Sequence, residues 1–569
     1  MAEQYLDKAG LEQLMYKIKY LTDDTKAIFM FDNTAATYKR AMKQWFLAHN
    51  YNSEMTAADL TSLCNQWYRT TQTGWNGYVT YYQPSTSPSS DGTKGGDNAN
   101  LSCSPSTNLV AGQDDYAGLP LFACVDCNFI VDQTTLEPMI TAIDGITENF
   151  VRNDPTKFVG VLQATGYTYD IEEETTYTRG YCDRIAAVVQ EGAKPVPEAI
   201  RVDGTIRPWV VHSKYVSALV NNKLTSCAGV IPRGHSMSHN TSKTYAKNIG
   251  PQYSGMSIAD LAWLHTMASI KYAKLDSDRV IAGACNFNYN DWIQVATTDQ
   301  NYVYILNSSL SRYEPGMSIL IGNATEANVP DRNTGAAYSL SGITGRIVTA
   351  VSTETVDGTD YTKVTFDGDP ITTVANPSNI GGTVIQSYAW VTGTNDAVLG
   401  NDGSIVNCTS GKYPAKLQGI EYMNGQYEVL GDTIIEWVIE NGKNVAKFYA
   451  VDRTANQTSS ITSNYKLFGQ VEIPNGSNGW KYIAKMSHDQ FYAPSDVSGS
   501  SSNGHRDGFY AYADGTTTGL REWLSFGHLY PGVAFAGRSG VAGDSALSRA
   551  LWSIAARLSP NGNRGELAS

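Results

Sequence analysis

After Asn290 the hydrophobic pattern changes period, and that change constrains the fold more than any other feature of the chain. The runs Trp292–Val295, Tyr302–Leu306, Ile319–Ile321, Arg346–Val351, Lys363–Phe366 and Thr383–Ile385 are short and separated by Gly, Asn, Asp and Pro turns. That punctuation predicts strands, and residues 291–386 read as a small all-β module. Upstream the spacing is helical. Leu60, Leu63 and Trp67 share one face of a helix over 54–70, with Thr56 as its cap and Asp59 three places on. A second helix starts at Ser257, with Asp260 as capping partner, and carries Ile258, Leu261, Leu264, Met267 and Ile270. Leu14, Met15, Ile18 and Leu21 form an apolar stripe on a short helix within residues 1–25, read as an anchoring or self-associating element. Thr134–Phe150 reads as helical, Pro84–Asn108 as a loop with no basis for a core, and the chain beyond Tyr388 as loop-rich. The fold class expected is α+β.

Composition narrows function mainly by exclusion. The net charge is −13 with Lys and Arg spread thinly, so the basic footprint of a nucleic-acid binder is missing. No apolar run reaches the ~18 residues that span a bilayer, and Met1–Gly10 has no apolar signal region. A protein of this kind working outside a cell is expected to leave inside a particle. Eight cysteines in 569 residues do not make a disulfide framework. Cys124 and Cys127 lack the second ligand pair that zinc needs, so they read as buried thiols, with no metal or cofactor expected. Tyrosine is abundant, 35 against 15 Phe, which suits either a binding surface or wet sheet faces.

Catalytic patterns are weak throughout. There is no Walker loop and no strand–GxGxxG–helix unit. Gly234-His-Ser236-Met-Ser238 lacks the last glycine of a nucleophile elbow. His235 and His239 are four apart in flanks that do not suggest a helix, and Asp507 and Asp514 are a carboxylate pair by spacing alone. The protein is expected not to be an enzyme.

The informative stretch begins at Gly519. Gly527, Gly532 and Gly543 punctuate residues of unrelated chemistry: His528, Tyr530, Pro531, Val533, Phe535, Arg538, Ser539, Asp544, Ser545, Arg549, Leu551 and Ser553. No helix or strand period fits them, but a contact surface on a rigid glycine-rich frame does. The stretch ends Trp552-Ser-Ile554-Ala-Ala-Arg557-Leu558. This segment resembles the variable region of diversity-generating retroelement target proteins, whose C-type-lectin fold is related to the formylglycine-generating enzymes. In that family adenine mutagenesis of a template turns Asn codons into many residues, but never Lys, Glu, Gln, Met or Trp. From Gly527 to Ser553 the chain has no Lys, Glu, Gln or Met, and its one Trp is at a frame position. Such a gap arises by chance on the order of a few per cent of the time. Further upstream, Gly419-Ile-Glu421-Tyr-Met-Asn-Gly425 and Glu436-Trp437 resemble the family's "R-G-I-E-N…G-N-x-x-E-W" region. Here Gln418 stands in place of the usual Arg, and an extra stretch precedes Glu436. Residues 208–286 are similar to gut-phage adhesins of this class, and Leu6–Glu12 to the start of phage tail-fibre and head-fibre proteins.

The resemblance implies a phage receptor-binding protein: an anchoring segment at 1–25, a mixed region at 26–195, a C-type-lectin-like domain from 196–290 plus 387–569, the β insertion at 291–386, and a variable region at 527–553. The named variable positions would touch the ligand, while Gly527, Gly532, Gly543, Trp552, Ile554 and Arg557 would hold the frame. Expected partners are a bacterial surface protein or glycan and other fibre proteins of the virion, with a homotrimer as the assembly. No nucleic acid and no membrane insertion are expected. The expected location is the virion, extracellular after release. A surface-glycan depolymerase and a structural decoration protein are the alternatives. No cysteine follows Cys408, which removes the reactive cysteine pair that a catalytic relative would need.

Overall fold

A computed structural model describes residues 35–82, 91–108, 110–276, 279–285, 288–324, 338–376, 381–487, 491–525, 537 and 539–566. Strand exceeds helix, 38% to 13%, so the fold is β-rich α+β. The apolar stripe expected at Leu14–Leu21 lies outside the described residues.

Helices α1 (Ala35–Ala48) and α2 (Ala57–Thr70) open the described chain. The capping box closes as the spacing predicts: the Thr56 side chain accepts from the Asp59 amide, and the Asp59 carboxylate accepts from the Thr56 amide at 3.1 Å. Leu60, Leu63, Cys64 and Trp67 form its buried face, and the Trp67 indole donates to the Tyr38 hydroxyl of α1 at 2.7 Å.

Two sheets follow. One has the order Lys194–Pro195, Tyr167–Glu172, Thr176–Cys182, Asn76–Tyr82, Thr93–Gly96. The other has the order Trp209–Ser213, Phe158–Ala164, Val125–Val131, Pro138–Ile143. The helix expected over Thr134–Phe150 is therefore a strand. Asp132 turns the chain by accepting from the Thr134 and Thr135 amides, and the β-branched residues Ile140 and Ile143 then pair into the sheet, with Thr141 at a bulge between them. The loop expected over Pro84–Asn108 also differs where it is described. Thr93–Gly96 is a strand, and Asn98 is fully buried, donating to the Ile270 carbonyl at 3.0 Å and accepting from Tyr116 at 2.5 Å. A polar composition is compatible with burial when every polar group finds a partner.

Helix α3 (His239–Lys247) contradicts the expectation that the flanks of His239 are not helical; Ser238 and Thr241 form its capping box. Helix α4 (Ile258–Tyr272) is the predicted one, capped by Ser257 and Asp260, but nearly all its faces are buried and not just one stripe. It sits in the middle of the molecule, and its polar residues are neutralised there. The Lys271 ammonium lies 3.0 Å from Asp114 and 2.7 Å from Asp402. His212 lies 2.9 Å from Asp260 and 3.5 Å from Glu198. No helix of the described residues is long and apolar enough to cross a membrane.

The predicted β runs form one six-stranded sheet, in the order Asn290–Trp292, Gly382–Trp390, Met317–Ala324, Arg346–Val356, Thr359–Phe366, Tyr302–Leu306. Its first and last strands in the chain pair with each other, Asn290 opposite Gln386 and Trp292 opposite Val384. Beyond Tyr388 most residues lie in loops and turns, as expected, but the chain also carries long strands. It builds an eight-stranded sheet around the long strand Tyr427–Glu440, whose neighbours are Lys443–Ala450 and Gly519–Ser525. Its central strand is buried on both faces over 428–435, so it carries no period-2 alternation there. One hydrophobic core runs from Tyr38 to Leu558, joining the N-terminal layers, α4 and the C-terminal sheet; the six-stranded sheet has a separate core.

Candidate ligand-binding surface

Strand pairings fix the described parts of the C-terminal segment to the eight-stranded sheet. Strand Gly519–Ser525 is antiparallel to the short strand Val541–Ala542, with Ser525 opposite Val541 and Leu524 opposite Ala542. Ser525 and Val541, which bound residues 526–540, are therefore neighbours on one rung. After Gly543 the chain departs again and returns at Ile554–Ala556, which runs parallel to Tyr427–Val429. The strands that bound 526–540 and 543–553 belong to the main core, through Leu524, Val541, Ala542, Ile554 and Ala556.

The frame is made of buried groups with specific partners. Arg557 forms a two-pronged contact with Glu428, at 2.7 and 2.8 Å, and also donates to the carbonyls of Ser213 and Glu421. Both partners are almost inaccessible, so this is a desolvated pair, and the two carbonyls take two further N–H groups of the guanidinium. Trp552 and Ile554 are buried. Trp437 donates to the Gly543 carbonyl at 2.8 Å. Gly543 has ordinary backbone angles; its glycine requirement comes from packing, since a Cβ there would lie 3.1 Å from Ile435 Cδ1. Gly234 is a frame residue that the sequence did not single out. A Cβ at that position would lie 2.2 Å from the Trp552 carbonyl oxygen.

Two departures from the family pattern have local causes. Gln418 donates to the Phe122 carbonyl at 2.8 Å and to Gln163 at 3.0 Å, while its oxygen accepts from Lys271 at 2.7 Å. With Lys271 supplying the cation, a neutral amide serves at this position. The extra stretch before Glu436 is a bulge: pairing with Gly519–Ser525 shifts between Val429 and Ile434, where Gly431 crosses the backbone of Gly255.

Of the expected contact positions, His528, Tyr530, Pro531, Val533, Phe535 and Arg538 lie outside the described residues, as do Gly527 and Gly532. Arg549 is exposed, and Asp544 and Leu551 are half-buried. Ser539, Ser545 and Ser553 correct the expectation of exposure, for all three are buried. The backbone explains it. The Ser539 amide donates to Asp507, the Ser545 carbonyl accepts from the Glu522 amide, and the Ser553 carbonyl accepts from the Tyr427 amide. A segment pinned this tightly turns those short side chains inward.

Beside Asp544 stands a set of half-buried residues that the sequence reading missed. Tyr512 donates to the Asp544 carbonyl at 3.0 Å, and the Arg521 guanidinium lies 5.4 Å over the Tyr512 ring. Trp480 meets Tyr510 edge-on at 5.5 Å. The signal was present in Phe509-Tyr510-Ala511-Tyr512, which alternates buried and half-buried. Beneath this face burial pushes the Glu522 carboxyl well above the usual range, while the His239 amide at the start of α3 donates to it at 2.8 Å. Burial also raises Asp544, and Arg549 opposes that shift.

Cys127 is buried, and the Cys124 thiol sits 3.3 Å from Gln163. Cys103, Asp114 and Asp402 come close enough to hold an ion, but Lys271 already provides the cation there. Asp507 is buried against the Ser539 amide, whereas Asp514 accepts from the Thr516 and Thr517 amides of an exposed turn. No family model matches this chain, and no curated protein emerges as a relative of it.

Proposed function

We propose that the protein is a phage virion adhesin, a receptor-binding protein that displays a diversified surface on a C-type-lectin-like scaffold and attaches to the bacterial host. The observation that supports this reading is that the strands bounding 526–540 and 543–553 join one sheet, with their ends fixed by buried frame residues. Such an arrangement separates the cost of folding from the identity of the exposed side chains, which is what a segment of variable sequence needs. Tyr510, Tyr512 and Arg521, which lie outside 527–553, extend the surface beside Asp544. The ligand is a protein or glycan of the cell surface, and the protein acts by binding, without catalysis, as a homotrimer joined to other fibre proteins.

The test replaces Tyr530, Phe535 and Arg538 together by Ala, then measures thermal melting and host adsorption in parallel. Aromatic and Arg side chains dominate binding hot spots, so adsorption should fall at unchanged melting. Normal adsorption with normal melting would remove this face as the binding site. A solution mass showing only monomer at micromolar concentration would count against the trimer.

A further inference from the structure

A cleft of about 560 Å³ opens between α2, the strand Pro138–Ile143 and the loop after Ile200. Ligand pockets typically measure about 300–1,000 Å³. No residue of the C-terminal loops lines it. One wall is the face of α2 opposite its buried stripe, formed by Ala58, Thr61, Ser62 and Asn65 at i, i+3, i+4 and i+7. Their side chains are short, which is what leaves the volume open.

The opposite side carries planar polar groups already held in place. Glu137 Oε2 accepts from Arg207 at 2.8 Å and lies 3.4 Å from Arg201 Nε. Its other oxygen accepts no hydrogen bond among the described residues. Arg207 is fixed by donating to the carbonyls of Trp209 and Glu198. Asn65 Oδ1 accepts from the Trp209 indole at 2.9 Å, which fixes the amide and leaves its N–H groups for the cleft. Pro138 and Met139 supply an apolar floor.

We propose that this cleft binds a neutral saccharide. Vicinal hydroxyls both donate and accept, and a carboxylate oxygen, an amide N–H pair and a guanidinium on one rim meet both needs, while the floor takes the C–H face of a ring. Charge argues against an anionic ligand, since Glu137 and Asp203 balance Arg201 and Arg207. The wall of hydroxyl and amide groups argues against a purely apolar one. The site is independent of the display loops and would give the protein a second contact with a glycan-coated surface.

The experiment is saturation-transfer NMR on the full chain with methyl glycosides of glucose, galactose, mannose, N-acetylglucosamine and fucose, and with inorganic phosphate followed by phosphorus line width. At least one glycoside should show transfer, and Ser62→Trp, which fills the cleft from an exposed helix position, should reduce it at least tenfold with melting unchanged. Ala58→Leu on the same wall is the second variant should Ser62→Trp fold poorly, and Glu137→Gln should weaken binding in either background. The Tyr530, Phe535 and Arg538 triple variant should keep the saccharide signal, so failure here is separable from failure of the display reading. No transfer from any glycoside, transfer unchanged in the wall variants, or a response to phosphate alone would each overturn the proposal.

Discussion

The six-stranded module and the N-terminal layers are both sheets packed near the C-terminal frame, yet they are joined to it differently. The module has its own core around Ile305, Ile321, Val364 and Ile385, and its two connections to the rest of the chain lie on paired strands. It meets the frame through Trp552, which packs beside Tyr388 at 6.3 Å, through His235 against Tyr338, and through Lys412 and Tyr413, both bonded to Glu314. The N-terminal layers share the main core and are stitched to the frame by Gln418, Lys271 and the Arg557 contact to the Ser213 carbonyl. Strand content therefore says little about independence; what counts is whether a core closes on itself.

The largest effect expected follows from that difference. Expressing 1–195 and 196–569 as separate chains should give insoluble material, because the cut opens the shared core. Replacing 291–386 by a short Gly/Ser linker should leave the remainder soluble with a cooperative melt. Soluble, folded halves together with an aggregated excision variant would reverse the comparison. Next in size is Arg557→Ala. It leaves Glu428 buried without its partner, and breaking such a pair costs about 3–5 kcal/mol. Denaturant titration should show the loss, and Arg557→Met with Glu428→Met should recover part of it. Equal stability of Arg557→Ala and the parent would mean that the frame does not depend on this pair.

The same distinction explains what the sequence could convey. Helices α2 and α4 were legible because capping boxes are local chemistry and their apolar residues recur every three or four places. The strands of the module were legible because each turn between them is marked by Gly, Asn, Asp or Pro. The strand Pro138–Ile143 was not, since its identity depends on pairing with Val125–Val131. Nor could spacing reveal that Ser539, Ser545 and Ser553 face inward, because that follows from carbonyls and amides tied to Glu522, Tyr427 and Asp507 elsewhere in the chain. The Trp552–Leu558 ending was legible because its residue types are dictated by one tight environment, with Arg557 held against Glu428.

A pH scan sharpens the contrast at the seam between the N-terminal layers and the frame. Burial works against a charge on His212, but the hydrogen bond to Asp260 and the Glu198 carboxylate 3.5 Å away outweigh it and raise its pKa to about 9. A histidine raised in the folded state adds stability that is complete below its unfolded value of about 6.5 and is lost as pH rises through 9. Asp260 also receives the Ser559 hydroxyl and the Asn561 amide of the C-terminal segment, so the loss is felt across the seam. Melting temperature should fall between pH 7 and 10, by the equivalent of about 2 kcal/mol, and His212→Gln should be less stable at pH 7 yet flatter over that window. Parallel pH profiles for the two proteins would show that His212 does not carry this dependence.

The smallest effect on stability is expected where the effect on binding is largest, at Arg549. Its side chain is exposed, and the turn beneath it is held by the backbone, with the Arg549 amide donating to the Ala546 carbonyl at 2.8 Å. Removing the guanidinium leaves that turn and the buried neighbours Leu547 and Trp552 in place, so Arg549→Ala should change stability by no more than about 0.5 kcal/mol. Arginine is enriched at hot spots, and loss of one such anchor should lower host adsorption about tenfold. Ser548→Ala, at a neighbouring exposed position with little to contribute to contact, should leave both quantities unchanged. Adsorption falling equally in both variants would point to a shift of the whole loop; adsorption unchanged in Arg549→Ala would confine the contact surface to 526–540.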